Sequence, residues 1–149
     1  LVHDLSLTEH MVLNALKHDF FVDWSTAQAQ TAERIERFQV VGTATSTADA
    51  LSGGNQQRFL FAMLNSPLRL ILLDQPTRGL DVRSTHWIWN ELDRWREEGA
   101  GIIFISADLD EIVERSDRIA VFSGGTLIRV VNAAETDEDQ LGHLIGGGQ

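Results

Sequence analysis

Two runs of four apolar residues, Leu70-Ile71-Leu72-Leu73 and Ile102-Ile103-Phe104-Ile105, constrain this chain most. Each is too short for a helix and too uniformly apolar for a strand with one wet face, so both read as buried strands of a parallel sheet. Between them, residues 84–98 carry Ile88, Leu92 and Trp95 at helical spacing, and Gly99 supplies a stop. Strand, helix, strand in this order predicts an α/β fold.

The flanks add a helical piece and a hairpin. Ser6-Leu7-Thr8-Glu9 has capping-box spacing and opens a helix through Met11, Val12 and Leu16. A second helix is expected from Ser25 or Thr26, through Ile35 and Phe38, and a third from Gln56 to about Asn65, which Pro67 prevents from continuing far. Residues 42–50, rich in Thr, Ser and Ala, read as a loop. Asp108 caps a short helix, 119–122 and 127–131 form a hairpin about Ser123-Gly124-Gly125, and Thr136 caps a last helix. The expected division is a helical subdomain over 1–66 and an α/β piece over 67–149.

Composition narrows the function. The 149 residues are 43% hydrophobic, enough for a packed core. A net charge of −10 argues against nucleic acid as a partner, because duplex binding needs a basic face. It does not argue against nucleotides, whose phosphates backbone N–H groups can hold. There is no cysteine, hence no disulfide or thiolate metal site. No run approaches the roughly 20 apolar residues that span a bilayer, and no signal peptide is visible, so a soluble, cytoplasmic chain is expected. It begins with Leu rather than Met, as a piece of something longer would.

Two segments carry chemistry. The first apolar run ends in Asp74, where a carboxylate at a strand end can orient Mg²⁺ through water beside a phosphate, or simply form a turn. Leu51-Ser52-Gly53-Gly54-Asn55-Gln56-Gln57 combines a hydroxyl, two glycines that let a ligand approach the backbone, and the positive end of a helix. Taken alone, that turn reads as an ordinary helix start.

Together, Leu51 to Arg58, the strand ending in Asp74, and Pro76-Thr77-Arg78-Gly79-Leu80-Asp81 resemble the ABC transporter ATPases: signature motif, Walker B strand and D-loop in the family's order. Ile105 to Glu111 resembles the switch region, and Ser116 to Val121 the strand that follows it. Asn-Gln-Gln after the glycines and Arg-Gly before Leu-Asp look most like the ATPases of simple-sugar and nucleoside importers. Leu1 to His10 resembles the start of the helical subdomain in their second module. The resemblance implies a partial P-loop NTPase fold: a helical subdomain, then part of the parallel-sheet core with a C-terminal hairpin.

It also implies roles. Ser52, Gly53, Gly54, Gln56 and Asp81 become nucleotide-binding positions, and Asp74 a Mg²⁺ partner. ATP and Mg²⁺ are then the cofactors. The partners are a second ATPase module, transmembrane permease subunits and, indirectly, a solute-binding protein, and the location is peripheral on the inner face of the membrane. Two positions depart from the family. Gln75 stands where the general base Glu is usual, and an amide cannot take a proton from water at neutral pH. Ala107 stands where the switch histidine is usual, and a methyl makes no hydrogen bond. An engineered change at Gln75 would leave Ala107 unexplained, whereas a degenerate second module accounts for both. There is no G-x-x-x-x-G-K-[ST], and Lys17 is the sole lysine. In the family the phosphate loop and Q-loop lie upstream of Leu1, so the chain resembles the C-terminal part of a nucleotide-binding domain. By itself it is expected to be inactive as an ATPase. A non-transport ABC-type ATPase, or a structural or regulatory module that lost catalysis, is the alternative; coiled-coil heptads or a basic surface that would favour the former are not seen.

The remaining motif-like residues have plainer readings. Trp87, Trp89 and Trp95 suit packing around one helix, and Trp24 suits packing more than contact with a membrane partner. The five histidines lack metal-ligand spacing.

Overall fold

A computed structural model describes residues 1–15, 21–64 and 67–146. The elements run α1 (Leu7–Leu13), α2 (Trp24–Arg37), α3 (Gly53–Ala62), β1 (Leu70–Asp74), α4 (Val82–Glu97), β2 (Gly101–Ile105), α5 (Leu109–Arg115), β3 (Arg118–Ser123), β4 (Thr126–Asn132) and α6 (Glu138–Ile145). They fall into two compact units. The first comprises residues 1–72 and 76–103; the second comprises 73–75 and 104–149.

In the first unit, side-chain caps set the helix starts. Ser6 and Glu9 form the reciprocal capping box of α1. Asp23 accepts from the Ser25 and Thr26 N–H groups, so α2 begins at Trp24, a residue or two before the expected start. Four bonds to its carboxylate, chiefly from the Thr26 hydroxyl and then the Ser25 hydroxyl, hold Asp23 down at about 2. Ser52 caps α3, which starts at Gly53 rather than Gln56. Leu16 and Asn65, expected in α1 and α3, lie outside the described residues.

The core of this unit is aromatic. Phe61 on α3 and Trp95 on α4 stack with centroids 5.4 Å apart and planes 5° apart. Phe38, at the end of α2, meets Trp87 edge-on at 6.2 Å. Leu7, Phe59, Ile88 and Leu92 are buried in the same unit. The Arg34 guanidinium donates to the Ala62 and Leu64 carbonyls, acceptors that the end of α3 leaves without helical partners. His10 is buried as a structural residue: one ring nitrogen meets the Ser6 carbonyl oxygen at 2.8 Å and the other accepts from the Val2 N–H at 2.9 Å. Trp24 does not pack as expected. It is 53% exposed, although it stands seven and eleven residues before buried Thr31 and Ile35 and so shares their helix face; it begins the helix, at the end of that buried stripe.

β1 and β2 pair. The Gly101 N–H meets the Arg69 carbonyl at one end, and the Gln75 N–H meets the Ile105 carbonyl at the other, an order that runs both strands the same way. The boundary between the compact units passes through this pair. The expectation of buried strands fails. Ile71 is buried, but Leu70, Leu72, Ile103 and Ile105 are 55–68% exposed. A continuous apolar run is buried throughout only where both faces are covered; here residues alternate as in a strand with one covered face.

The second unit is built on the β3–β4 hairpin, with Arg118 opposite Asn132 and Ser123 opposite Thr126. Gly124 and Gly125 turn it with φ of 56° and 78°, the consecutive positive values that match strand twist. Ile119, Val121, Ala133 and Leu141 form its core, with Leu109, Ile112 and Val113 of α5 packed against it. Asp108 caps α5 as expected, whereas α6 is capped by Asp137 rather than Thr136.

Candidate functional site

The expected site residues fall into two groups, one in each compact unit. Ser52, Gly53, Gly54, Gln56 and Asp81 belong to the first; Asp74, Gln75 and Ala107 belong to the second.

In the first group, the turn before α3 is braced from several sides. The Ser52 hydroxyl oxygen accepts from the Asn55 N–H at 3.4 Å and from the Asn55 side-chain amide at 2.9 Å. Its own proton remains free to be donated outward. The Asn55 side-chain oxygen accepts from the Val41 N–H at 2.8 Å, tying the turn to the segment that follows α2. The Gln56 amide donates to the Ala48 and Leu51 carbonyls at 3.0 and 3.2 Å. Gln56 thus steadies the approach to the turn, and those hydrogens do not face a ligand. Ser52 and Gly53 are exposed at the N-terminus of α3, where N–H groups lack helical partners.

Asp81 ends the Pro76–Asp81 stretch and caps α4. Its turn bonds Leu80 N–H to the Thr77 carbonyl at 3.1 Å, and Gly79 takes the positive φ of 73° that this turn needs. One Asp81 oxygen accepts from the Ser84 N–H at 3.0 Å and the other from the Ser84 hydroxyl at 2.9 Å. The backbone bond, then the hydroxyl bond, holds the Asp81 carboxyl below the usual aspartate range, so it stays ionised. The Arg58 guanidinium lies 4.5 Å over the Trp87 ring; burial there lowers its pKa, and Asp81 opposes that shift.

The two glycines differ. A Cβ on Gly53 would meet nothing within 4 Å. A Cβ on Gly54 would lie 2.7 Å from the Ser84 hydroxyl oxygen, inside any allowed contact. Asn55 and Ser84 were not singled out from sequence. Asn55 stood in the motif without a distinct signal. Ser84, three residues past the Asp81 cap, sits where a cap partner belongs.

In the second group, Asp74 ends β1 with an exposed side chain. A lone carboxylate suits Mg²⁺, which keeps several waters and takes one or two carboxylates plus phosphate oxygens. Among the described residues no three His, Cys, Asp or Glu side chains group to hold a metal by themselves. Gln75 has φ 51°, unusual for a residue with a side chain. Its backbone N–H bonds the Ile105 carbonyl at 2.8 Å, and its side-chain oxygen accepts from the Ala107 N–H at 3.3 Å. The structure therefore joins the two departures from the family pattern through a bond from the Ala107 N–H to the Gln75 side chain, and neither side chain can accept a proton from water.

No family model matches the chain. It is 38% identical over 130 residues to a nucleoside import ATP-binding protein of Lactococcus lactis, covering 86% of this chain and 26% of that protein. It is 42% identical over 109 residues to a ribose import ATP-binding protein of Ruegeria, covering 72% of this chain and 21% of the other. The chain thus spans about a quarter of the length of these relatives. The dimeric structure of a bacterial ABC transporter cassette matches 89% of this chain and 59% of its own, with a TM-score of 0.71 at 24% identity. A putative metal-chelate type ABC transporter in an inward-facing conformation matches 96% of this chain with a TM-score of 0.76 at 17% identity. By fold and by sequence the chain is a partial ABC ATPase cassette, homologous over most of its length to the ATP-binding proteins of nucleoside and sugar importers.

Proposed function

We propose that this chain is the signature-bearing part of an ATP-binding subunit that couples ATP binding and hydrolysis to uptake of a sugar or nucleoside, and that its signature turn completes an ATP site held mainly by a partner cassette. The observation that carries this reading is the contrast between the two groups. The Ser52 turn presents a free hydroxyl proton, exposed backbone N–H groups and an uncrowded Gly53, a combination suited to an anionic γ-phosphate. The Asp74–Gln75–Ala107 group offers a carboxylate for Mg²⁺ but no base for the attacking water.

On this reading Ser52 and the N–H groups of Gly53 and Gly54 bind phosphate oxygens. Gln56 and Asp81 hold that turn in place. Asp74 orients the metal in this chain's own half-site, and Gln75 positions water without deprotonating it. ATP with Mg²⁺ supplies the phosphoryl chemistry when bound. Residues 1–66 act as the helical subdomain, and exposed Trp24 lies on it as a candidate contact for permease subunits. The names of the relatives support import and, with it, permease partners; this chain is read as the second module of a tandem pair whose first module is its partner, with a solute-binding protein acting indirectly. Permease partners would hold the subunit at the inner membrane face; among the described residues no helix is long and apolar enough to cross a membrane.

The test compares two substitutions in the full-length subunit assembled with its permease. Ser52→Ala slows steady-state ATP hydrolysis by at least about tenfold, since one oxyanion-type donor is typically worth that or more. Gln75→Ala changes the rate less than twofold. The reverse ranking would sink the proposal, as would steady Mg²⁺-dependent hydrolysis by this chain alone that Asp74→Ala abolishes.

A further inference from the structure

The contact between Gly54 and Ser84 joins two helix starts that the sequence motifs treat separately. Gly54 lies in the first turn of α3, and Ser84 in the first turn of α4. Ser84 is 8% exposed, a buried hydroxyl whose bond goes to the Asp81 carboxylate. The same oxygen fills the place a Cβ at residue 54 would take, and the Ser84 Cβ stands 3.4 Å from it. The Asp81 carboxylate is the third member of the contact, 3.9 Å from that Cβ position. Farther along the same two helices, Arg58 stacks on Trp87 and Phe61 on Trp95. The N-termini of α3 and α4 are thereby wedged at one end and stacked at the other.

We propose that Ser84 is a positioning residue, which locks the signature turn to the Asp81 cap so that both present to the partner cassette as one rigid edge. The inference rests on the trans-acting signature reading above. Its physical content is that the free N–H groups of α3 keep their aim only while α4 abuts Gly54. Because Gly53 is in open space, its Cα face and its N–H are both left for a ligand, whereas Gly54 offers its N–H and gives its Cα face to packing against Ser84. The paired glycines therefore do different work.

The experiment uses four variants of the full-length subunit assembled with its permease, with ATP hydrolysis and thermal unfolding as readouts. Ser84→Ala removes the hydroxyl without adding bulk. It raises KM for ATP about fivefold, the scale of the net contribution of one ordinary hydrogen bond, and leaves kcat within twofold. A merely structural role would instead shrink the folded fraction, lowering apparent kcat with KM unchanged, and that result overturns the proposal. Gly54→Ala lowers Tm, and the double variant Gly54→Ala with Ser84→Ala recovers part of that loss, because removing the oxygen leaves the new methyl neighbours no nearer than 3.4 Å. Absence of any recovery overturns the contact. Gly53→Ala is the control for the underlying reading: it leaves Tm unchanged and raises KM by crowding the ligand side. If Gly53→Ala raises KM and Ser84→Ala does not, the positioning role alone fails. If neither raises KM, the trans-acting signature reading fails and takes this inference with it.

Discussion

The turn that carries Ser52 and the strand end that carries Gln75 each hold one of the two groups of candidate site residues, yet they are held in opposite ways. The Ser52 turn is fixed by side chains reaching in from elsewhere: Asn55 links it to Val41, Gln56 links it to Ala48, and Ser84 abuts Gly54. The Gln75 end is fixed by its backbone, with a left-handed φ and one 3.3 Å side-chain bond. Preorganisation by side chains leaves backbone N–H groups free for a ligand, whereas a backbone-fixed strand end leaves its function to whichever side chain stands there. Changing Glu to Gln at such a position removes the chemistry and leaves the fold intact. The same change of one functional group in the Ser52 turn disturbs the brace itself.

This comparison can be broken or sharpened by substitution. Trp95→Ala has the largest expected effect. It removes the ring stacked on Phe61 and costs about 3–5 kcal/mol of stability, by urea denaturation. If the bracing is local, hydrogen exchange quickens in α3 and α4 and keeps its protection in β3 and β4. Equal loss in both would erase the distinction between the regions. Next, Gln75→Gly relieves the left-handed backbone, worth about 1–2 kcal/mol, against loss of the bond to Ala107. The net is a gain of up to about 1 kcal/mol; a loss would show that the side-chain bond, not the backbone, fixes this end. The smallest effect concerns acid. Asp23 is held at about 2 against an ordinary 3.8, so its cap contributes fully above 3.8 and is lost as pH falls through 2. The urea midpoint of Asp23→Asn therefore falls less steeply than that of the parent chain over this window. Parallel slopes would remove Asp23 from the account.

Much of this was legible in the sequence because caps and turns are local. The Ser6 and Glu9 pair, the Asp108 cap, the glycine hairpin and the Gly99 stop, with φ 98°, each depend on residues a few positions apart. Asp23 and Asp137 were overlooked in favour of neighbouring hydroxyl residues, although Asp caps as well as Ser. The exposure of Leu72 and Ile105 was not legible, since an apolar run states what a strand can bury and not what covers it. Nor was Ser84, whose partner Gly54 is distant in sequence. The order of the motifs identified the family; only geometry separated the duties of Gly53 and Gly54.

The clustering of tryptophan has a practical consequence. The chain has four Trp and no Tyr; three of the four lie on α4 and the fourth begins α2, all in the first compact unit. With no Tyr to contribute, intrinsic indole fluorescence is therefore an optical probe of that unit only. The hairpin unit is dark in this channel. Fluorescence and far-ultraviolet dichroism melts that coincide would mean the two units unfold together, and melts that separate would time the release of the braced turn independently of the strand end.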